Sequence, residues 1–364
     1  MKITGVSIGG FKNIETVTLN FSNKITALIG FNNYGKSNVL DAINFGLQFI
    51  KANMSNRKKM MSNSQVQPLI IDLKGKPFKF SIQFKDNKHC YSYSYSWYWN
   101  TDEVYNEELI RDNLVIHYRN TNTQVVPNLG LLIDKKDSNL QELYKWIKTI
   151  SAYGADLVTD IKSNTVVHKE HHSTLAKALY DLQNNFSNEY QLLMEAYTSL
   201  MPSIKYLKPQ IQNNEYRILV KEDNVKTETL FEQLSMGSRR LLALLYMAIK
   251  AKELNIQVLF FEEIEACLHP RLIPLLLMSL SKLAIESNIV LTSHSPYLIQ
   301  HLPINSIYLS LPLKNGLASF KTINTDLQAK LLRQAEELEI SLGVYLFDLL
   351  IESFYDPQVL MEWL

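Results

Sequence analysis

Residues 24–50 read KITALIGFNNYGKSNVLDAINFGLQFI and place an apolar strand, a glycine-bounded loop and a helix in immediate succession. The segment 24–30 is mostly apolar, which is typical of a strand covered on both faces. The apolar residues that follow position 38 recur at helical spacing. The loop between them, from Gly30 to Ser37, fits G-x-x-x-x-G-K-[ST], the pattern of phosphate-binding loops. The stretch therefore predicts an α/β P-loop fold in which a helix starts directly after a buried strand.

The residue types in this loop suit a nucleotide phosphate. Glycines let backbone amides turn towards phosphate oxygens, a lysine reaches the terminal phosphates, and a serine hydroxyl binds Mg²⁺. A glycine-rich turn without a ligand is the alternative, but the pattern matches by chance in only about one chain of this length in a hundred. Lys36 is thus predicted to bind phosphate and assist catalysis, and Ser37 to bind the metal. The predicted ATP-binding residues are Gly30, Asn32, Asn33, Gly35, Lys36, Ser37 and Asn38.

Two further apolar strands end in polar side chains. VLFFEEIE (258–265) ends in an acidic cluster, and NIVLTSH (288–294) ends in a histidine. In a parallel sheet, ligands bind at the carboxyl ends of the strands. We predict that Glu262 holds the metal through water, that Glu263 orients the attacking water, and that His294 senses the γ-phosphate. An acidic turn and a structural histidine are the alternatives, and Glu265 is assigned neither role.

The segment EQLSMGSRRLLALLYMAI (232–249) sets a small polar cluster, Ser235, Gly237 and Ser238, before a long apolar helix. A serine there either caps the helix or leaves room for an anion. A helix N-terminus contributes about 0.3–2 kcal/mol towards an anion, whereas micromolar nucleotide binding needs about 8 kcal/mol. The cluster cannot bind a nucleotide alone, so we predict that it completes a site on another copy of the chain.

Composition limits the class of protein. The 364 residues are 46% hydrophobic and 20% charged, with a formal net charge of +1, so any nucleic-acid contact requires a local basic patch. No apolar run is long enough to cross a bilayer, the N-terminus lacks the apolar core of a signal peptide, and two cysteines provide neither a disulfide framework nor a zinc site. We therefore expect a cytoplasmic protein with no membrane partner.

The alternation of strands and helices predicts four segments. Residues 1–130 form an N-terminal lobe with the P-loop and an antiparallel β subdomain, and residues 131–203 form a helical lid. Residues 204–325 form a C-terminal lobe with the polar cluster, the acidic residues and His294. Residues 326–364 form a C-terminal helical extension.

The order of the motifs resembles the ATP-binding cassette ATPases of the RecF, SMC and OLD branch. It is most similar to the stand-alone AAA-type members of bacterial antiphage defence operons. The resemblance rests on FKNI (11–14), the loop 30–38, LSMG (234–237), EEIEACLHP (262–270) and SHSP (293–296). It implies an ABC-ATPase-like head with a mixed or parallel central sheet. Two heads would face each other, each ATP lying between one chain's P-loop and the other chain's signature.

The resemblance also implies individual roles. It assigns Ser235 and Gly237 to the opposite γ-phosphate, Glu263 to catalysis and His294 to a switch. The sequence departs from the family at Glu262, where aspartate is usual, so slow hydrolysis is expected, and at Ile264, where proline is common. Gln83 and the polar turn around 100–112 are equal candidates for the Q-loop.

The preferred function is an ATPase whose ATP-driven homodimer or larger homo-oligomer controls a separate nuclease or toxin, as in antiphage defence. The 70 residues after His294 are too few for the acidic nuclease (Toprim) domain of OLD proteins, so the effector is expected on a partner. The alternative is a RecF-like DNA-binding repair ATPase, with DNA as partner. Salt-dependent DNA binding that requires ATP would distinguish them.

Five other features have a functional and a structural interpretation. The alternating aromatic residues of 91–99 favour a buried strand face over a nucleic-acid platform. The basic run 57–59 favours a solvated loop over a phosphate contact. His168 and His172, around Glu170, favour a surface cluster over a metal site. Arg239 and Arg240, next to the signature, are expected to face the partner's nucleotide or bound DNA. The tail 326–364 is either a docking or dimerisation element or a helix packed on its own head.

Overall fold

The computed structural model describes residues 1–68, 70–101, 104–119, 138–154, 165–166, 175–311 and 315–364. The strands in these ranges are β1 (Lys2–Phe11), β2 (Ile14–Asn20), β3 (Ile25–Ile29), β4 (Phe78–Lys85), β5 (Cys90–Trp97), β6 (Val104–Arg111), β7 (Leu114–Arg119), β8 (Ser151–Gly154), β9 (Thr165–Val166), β10 (Ile204–Gln212), β11 (Glu215–Glu222), β12 (Thr229–Leu230), β13 (Ile256–Phe261), β14 (Asn288–Ser293), β15 (Ile307–Leu311) and β16 (Ser319–Thr322). The α-helices are α1 (Lys36–Lys51), α2 (Met54–Met61), α3 (Ser138–Thr149), α4 (Leu175–Asn185), α5 (Ser187–Leu200), α6 (Met236–Glu253), α7 (Ile273–Leu283), α8 (Pro296–Ile299), α9 (Gln328–Glu337), α10 (Leu342–Tyr355) and α11 (Gln358–Met361).

These elements form two compact units. The first contains Met1–Gly154, Asn255–Glu263 and Glu286–Leu364, and the second contains Ala155–Leu254 and Ile264–Ile285. Each unit is therefore assembled from segments that are distant in sequence.

The first unit contains the predicted parallel sheet, with strand order β16-β15-β3-β14-β13-β8. The strands from β15 to β8 are mutually parallel, and β16 pairs antiparallel with β15. Every residue of β3, β13 and β14 is buried, as their apolar sequences predict. Because parallel strands end at one edge, the residues that follow β3, β13 and β14 are brought together. The predicted α/β P-loop fold is confirmed.

An antiparallel sheet with the order β2-β1-β4-β5-β6-β7 also lies in the first unit. Tyr91, Tyr93, Tyr95 and Trp97 alternate on its buried face and are at most 3% exposed. The Tyr95 hydroxyl donates a 2.9 Å hydrogen bond to the carbonyl of Gly46 in α1. The prediction that this aromatic stripe belongs to the core is confirmed, since rings buried to this extent cannot stack on bases.

The prediction that residues 57–59 form a solvated loop is wrong. Residues Met54–Met61 form α2, and Arg57 is only 8% exposed, whereas Lys58 and Lys59 are exposed. The Arg57 guanidinium donates hydrogen bonds of 2.9 and 2.8 Å to the carbonyls of Phe49 and Ile50. It therefore satisfies carbonyl groups in the last turn of α1, a role that cations commonly take at helix C-termini.

The second unit contains the antiparallel strands β10-β11-β12, with β9 paired to β11, and the helices α4 to α7. Helix α6 buries an apolar stripe that includes Leu241, Leu242, Leu245 and Ala248. Helices α5 and α7 both contact α6. The long apolar run of the signature segment is thus the core helix of this unit.

The tail 326–364 belongs to the first unit and buries Leu331, Leu346, Leu350 and Trp363. The packed-helix interpretation is therefore confirmed for these residues. The same tail exposes Ile351, Phe354, Tyr355 and Met361 by 41–84%.

Two sequence-level expectations concern membranes and metals. None of the helices in the described part of the chain has both the length and the apolar character that crossing a bilayer requires. The predicted histidine cluster of His168, Glu170 and His172 lies outside the described residues. Within the residues that are described, no group of three or more His, Cys, Asp or Glu side chains is arranged to hold a metal.

Candidate functional site

A cleft of about 430 Å³ opens at the carboxyl-terminal edge of the parallel sheet in the first unit. The loop after β3, the residues after β13 and the end of β14 contribute its lining. The lining residues are Asn32, Asn33, Gly35, Lys36, Ser37, Asn38, Glu262, Glu263 and Thr292. Most of the residues predicted for nucleotide and metal therefore lie around one cavity.

The two glycines that bound the loop are required by its geometry. Gly35 precedes α1 with a φ of 89°, and a Cβ there would lie 2.6 Å from the Cβ of Ala318. A Cβ on Gly30 would lie 2.0 Å from the Oγ of Ser310. Any side chain at either position would displace the loop. Contacts within the protein therefore require glycine at both positions, independently of the space that a ligand would need.

Lys36 starts α1 and is only 7% exposed. Its ammonium donates hydrogen bonds of 2.7 and 2.8 Å to the carbonyls of Gly30 and Phe31. Carbonyl dipoles from its own loop thus hold a buried positive charge at the cleft. Such a charge is suited to an incoming phosphate.

Ser37 and Glu262 meet across the cleft. The Ser37 hydroxyl donates a hydrogen bond to Oε2 of Glu262, with 2.5 Å between the oxygens. A hydroxyl and a carboxylate are oxygen donors of the kind that Mg²⁺ prefers. The pair comes from two segments more than 200 residues apart, so only the fold brings it together.

The backbone of Glu263 adopts the left-handed region, with a φ of 43°. Its N–H donates a 3.1 Å hydrogen bond to the hydroxyl of Thr292 at the end of β14. A non-glycine residue in this region costs about 1–3 kcal/mol and persists where the surroundings hold it, most often at functional sites. Thr292 is a lining residue that the sequence analysis missed, although it lies two positions before the predicted His294.

Asn13, from the FKNI segment, is a second missed residue. Its Oδ1 accepts a 2.8 Å hydrogen bond from the side chain of Asn38, and its carbonyl accepts a 2.7 Å bond from the amide of Ala318. It therefore joins the first turn of α1 to Ala318, which precedes β16 and lies close to Gly35. Only the motif order indicated that this segment matters.

His294 and Gln83 are placed differently. His294 is exposed and directly follows β14, at the same sheet edge as the cleft, but it is not among the lining residues. Gln83 lies within β4 of the antiparallel sheet, opposite Gly5, and does not line the cleft either. The competing turn at 100–112 falls largely on β6, and positions 102 and 103 lie outside the described residues.

The predicted signature lies in the second unit. Ser235 is the N-cap of α6, and its hydroxyl accepts a 3.2 Å bond from the amide of Ser238 and lies 2.8 Å from the Ser238 hydroxyl. Ser235 and Met236 are exposed, whereas Ser238 is 5% exposed. A Cβ on Gly237 would lie 2.3 Å from the carbonyl oxygen of Cys267. Ser235 therefore caps α6, and the exposed start of the helix remains accessible.

Arg239 and Arg240 follow within the first turns of α6, where both side chains are half-buried. Glu265 is also half-buried, in the second unit, and it does not line the cleft.

A family model described as "AAA domain, putative AbiEii toxin, Type IV TA system" matches residues 25–300, about three quarters of the chain. The chain belongs to this AAA family. The match covers the P-loop, the signature, the acidic pair and His294, so the P-loop ATPase character predicted from residues 30–37 is confirmed. No curated protein is significantly similar in sequence to the chain.

Solved structures of SMC heads share its fold. The SMC head domain from Thermotoga maritima is 10% identical, with a TM-score of 0.51, and the match covers 89% of this chain and 100% of that one. An SMC head bound to the C-winged helix domain of ScpA is 16% identical, with a TM-score of 0.55 and coverages of 91% and 100%. A Pyrococcus furiosus Smc head with an extended coiled coil, bound to the C-terminal domain of ScpA, is 14% identical, with a TM-score of 0.53 and coverages of 92% and 99%. Because the sequence identities are low, these similarities show only that the chain shares the ABC-ATPase-like fold of the SMC heads.

Proposed function

We propose that the chain binds ATP with Mg²⁺ in the cleft of the first unit and hydrolyses it to ADP and phosphate. One observation carries the proposal. The Ser37–Glu262 pair lies beside the buried Lys36 at the carboxyl ends of parallel strands. A cation for phosphate, oxygen donors for a metal and a helix N-terminus converge in one cavity, which is the requirement for binding a metal-complexed nucleotide.

Ser37 and Glu262 fit the metal by donor type. In the proposal Ser37 binds Mg²⁺ directly and Glu262 holds it through water. The bound metal would neutralise charge that develops on the β- and γ-phosphates. Glutamate is one methylene longer than the usual aspartate, yet its carboxylate already reaches the Ser37 hydroxyl. The extra length therefore does not prevent the pair from forming.

Glu263 is the proposed general base. Its carboxylate accepts a proton from water while the water oxygen bonds to the γ-phosphorus and the bond from phosphorus to the bridging oxygen of ADP breaks. The position of Glu263 in the cleft lining and its strained backbone support this role. His294 is proposed to hydrogen-bond the γ-phosphate or its water, supported by its position after β14.

The exposed start of α6 is proposed to complete the cleft of a second copy, in a homodimer or a larger homo-oligomer. Ser235 is accessible at a helix N-terminus whose contribution of about 0.3–2 kcal/mol only supplements a site built elsewhere. Gly237 would let the backbone approach the γ-phosphate. Ser238 is buried, so it would act by holding the hydroxyl of Ser235.

The ATP-bound assembly is proposed to regulate a separate nuclease or toxin in a bacterial antiphage defence system. The family description names a toxin and a toxin–antitoxin system. The motif order resembles that of defence ATPases. The exposed apolar side chains of Ile351, Phe354 and Tyr355 on α10 offer a surface to such a partner.

ATP affinity tests the cleft directly. We expect Lys36→Ala to weaken ATP binding by at least about tenfold, because charge-assisted hydrogen bonds contribute about 1.5–3 kcal/mol. The matched control is Lys88→Ala, which removes an exposed lysine from the β4–β5 turn. Calorimetric titration with ATP gives both dissociation constants. Equal affinities in the two variants would exclude the cleft as the nucleotide site.

A further inference from the structure

Helix α10 contacts the segment that follows His294. Gly343, in the first turn of α10, approaches α8 so closely that a Cβ would lie 2.1 Å from the carbonyl oxygen of Pro296 and 3.1 Å from the amide of Gln300. The space between the two backbones therefore admits only glycine. Any movement of residues 294–300 along this contact must be accommodated by α10.

The same helix contacts the P-loop. Phe347 lies one turn after Gly343 on the same face of α10. Its ring centroid is 6.2 Å from that of Phe31. The Phe31 ring also meets Tyr34 edge-on, with centroids 5.8 Å apart. Phe31, Tyr34 and Phe347 therefore form an aromatic cluster at the start of the loop. Partial burial raises the pKa of the Tyr34 phenol above its ordinary value.

Phe31 connects this aromatic contact to the lysine of the cleft. Its carbonyl accepts the 2.8 Å hydrogen bond from Lys36. The backbone from Phe31 to Tyr34 has no helix or strand pairing to hold it. The contact with Phe347 is therefore one of the interactions that fix the position of the carbonyl that holds Lys36.

We infer that α10 is a positioning element for the nucleotide site, with Phe347 holding the P-loop through Phe31 and Gly343 setting the place of the segment after His294. The inference rests on the proposed function, since it assumes that the cleft binds ATP. A loop that is already held in place loses less entropy when a ligand binds. Phe347 therefore acts on ATP affinity, whereas Gly343 acts on the segment proposed to assist hydrolysis.

Substitutions on α10 separate the two contacts. Phe347→Ala raises the Kd for ATP by about 2- to 10-fold, which corresponds to the loss of one aromatic pair. It leaves kcat nearly unchanged. Phe347→Tyr retains the ring and restores the affinity. Gly343→Ala lowers kcat with little change in Kd, because its Cβ displaces the Pro296 carbonyl. The control is Glu352→Ala, which removes an exposed side chain from the same helix and changes neither constant.

Hydrogen exchange with saturating ATP tests whether α10 positions the nucleotide site. We expect ATP to slow amide exchange in residues 342–350 together with the P-loop, and Phe347→Ala to abolish the effect on α10 alone. If ATP protects the P-loop of the unmodified protein but not α10, the positioning role is wrong and the ATP site stands. If ATP protects neither segment, the proposed function fails and the positioning role fails with it. A Phe347→Tyr variant as weak as Phe347→Ala would also overturn the inference.

Discussion

The hydroxyl of Ser37 lies 2.5 Å from the carboxylate of Glu262, joining the first turn of α1 to the end of β13. Serine is fixed by the helix that starts at the P-loop, and glutamate by a strand that is buried along its whole length. The fold itself therefore makes the two oxygens converge, as the proposed Mg²⁺ site requires.

The first prediction concerns Glu262 and metal dependence. We expect Glu262→Ala to raise the Mg²⁺ concentration required for half-maximal ATP hydrolysis by about 10- to 100-fold, as for other groups that orient a metal through water. Binding of ATP without Mg²⁺ should stay close to normal, because Lys36 is untouched. A Mg²⁺ titration of phosphate release measures the effect. Glu286→Ala, at the opposite end of β14, is the control, and an unchanged titration for Glu262→Ala would exclude the metal role.

The second prediction concerns Glu263 and the chemical step. Glu263→Gln keeps the size of the side chain and removes the proton acceptor. General-base catalysis contributes about 10²–10⁴-fold, so kcat should fall by at least about 100-fold while the Kd for ATP changes little. Single-turnover phosphate release and equilibrium binding provide the two values. Retained turnover would assign the base to another residue.

The third prediction separates packing from ligand binding at Gly237. A Cβ there would meet the carbonyl oxygen of Cys267 at 2.3 Å, and overpacking of this kind costs about 1–3 kcal/mol. Gly237→Ala should therefore lower the free energy of unfolding in urea whether or not nucleotide is present. A variant of normal stability would mean that α6 is free to shift. Since Gly237 has this structural role, Ser235 is the better residue for testing the signature.

The fourth prediction concerns the buried Arg57. Arg57→Ala should lower the free energy of unfolding by about 3 kcal/mol, because it leaves two helix carbonyls without their charged donor in a buried setting. Lys59→Ala removes an exposed charge from the same helix and should stay within about 0.5 kcal/mol of the parent. Equal stabilities for the two variants would contradict the capping role.

The sequence predicts the parallel sheet and most of the cleft for a physical reason. Strands buried on both faces are mostly apolar, and the polar residues that directly follow β3, β13 and β14 must lie at one edge of the sheet. The loop pattern adds the types required for phosphate. The sequence alone therefore suffices to predict that Lys36, Ser37, Glu262 and Glu263 lie together.

Other features depend on tertiary contacts that leave no periodic signal. Strand β8 has the sequence SAYG, which is neither apolar nor alternating, and it exists because β13 offers it an edge. Helix α2 has no apolar face, so the burial of Arg57 could not be inferred from MSNRKKMM. Thr292 and Asn13 enter the site through hydrogen bonds that only the folded chain reveals.

The molar mass of the Glu263→Gln variant in solution, measured by light scattering with and without ATP and Mg²⁺, tests the central claim most directly. The variant should hold ATP without hydrolysing it, so we predict an ATP-dependent gain to at least twice the mass of the chain. Adding Ser235→Arg should abolish the gain, whereas Ser187→Arg in the exposed first turn of α5 should not. A mass that never depends on nucleotide, or a gain that survives Ser235→Arg, would contradict a signature that serves the ATP of a second copy.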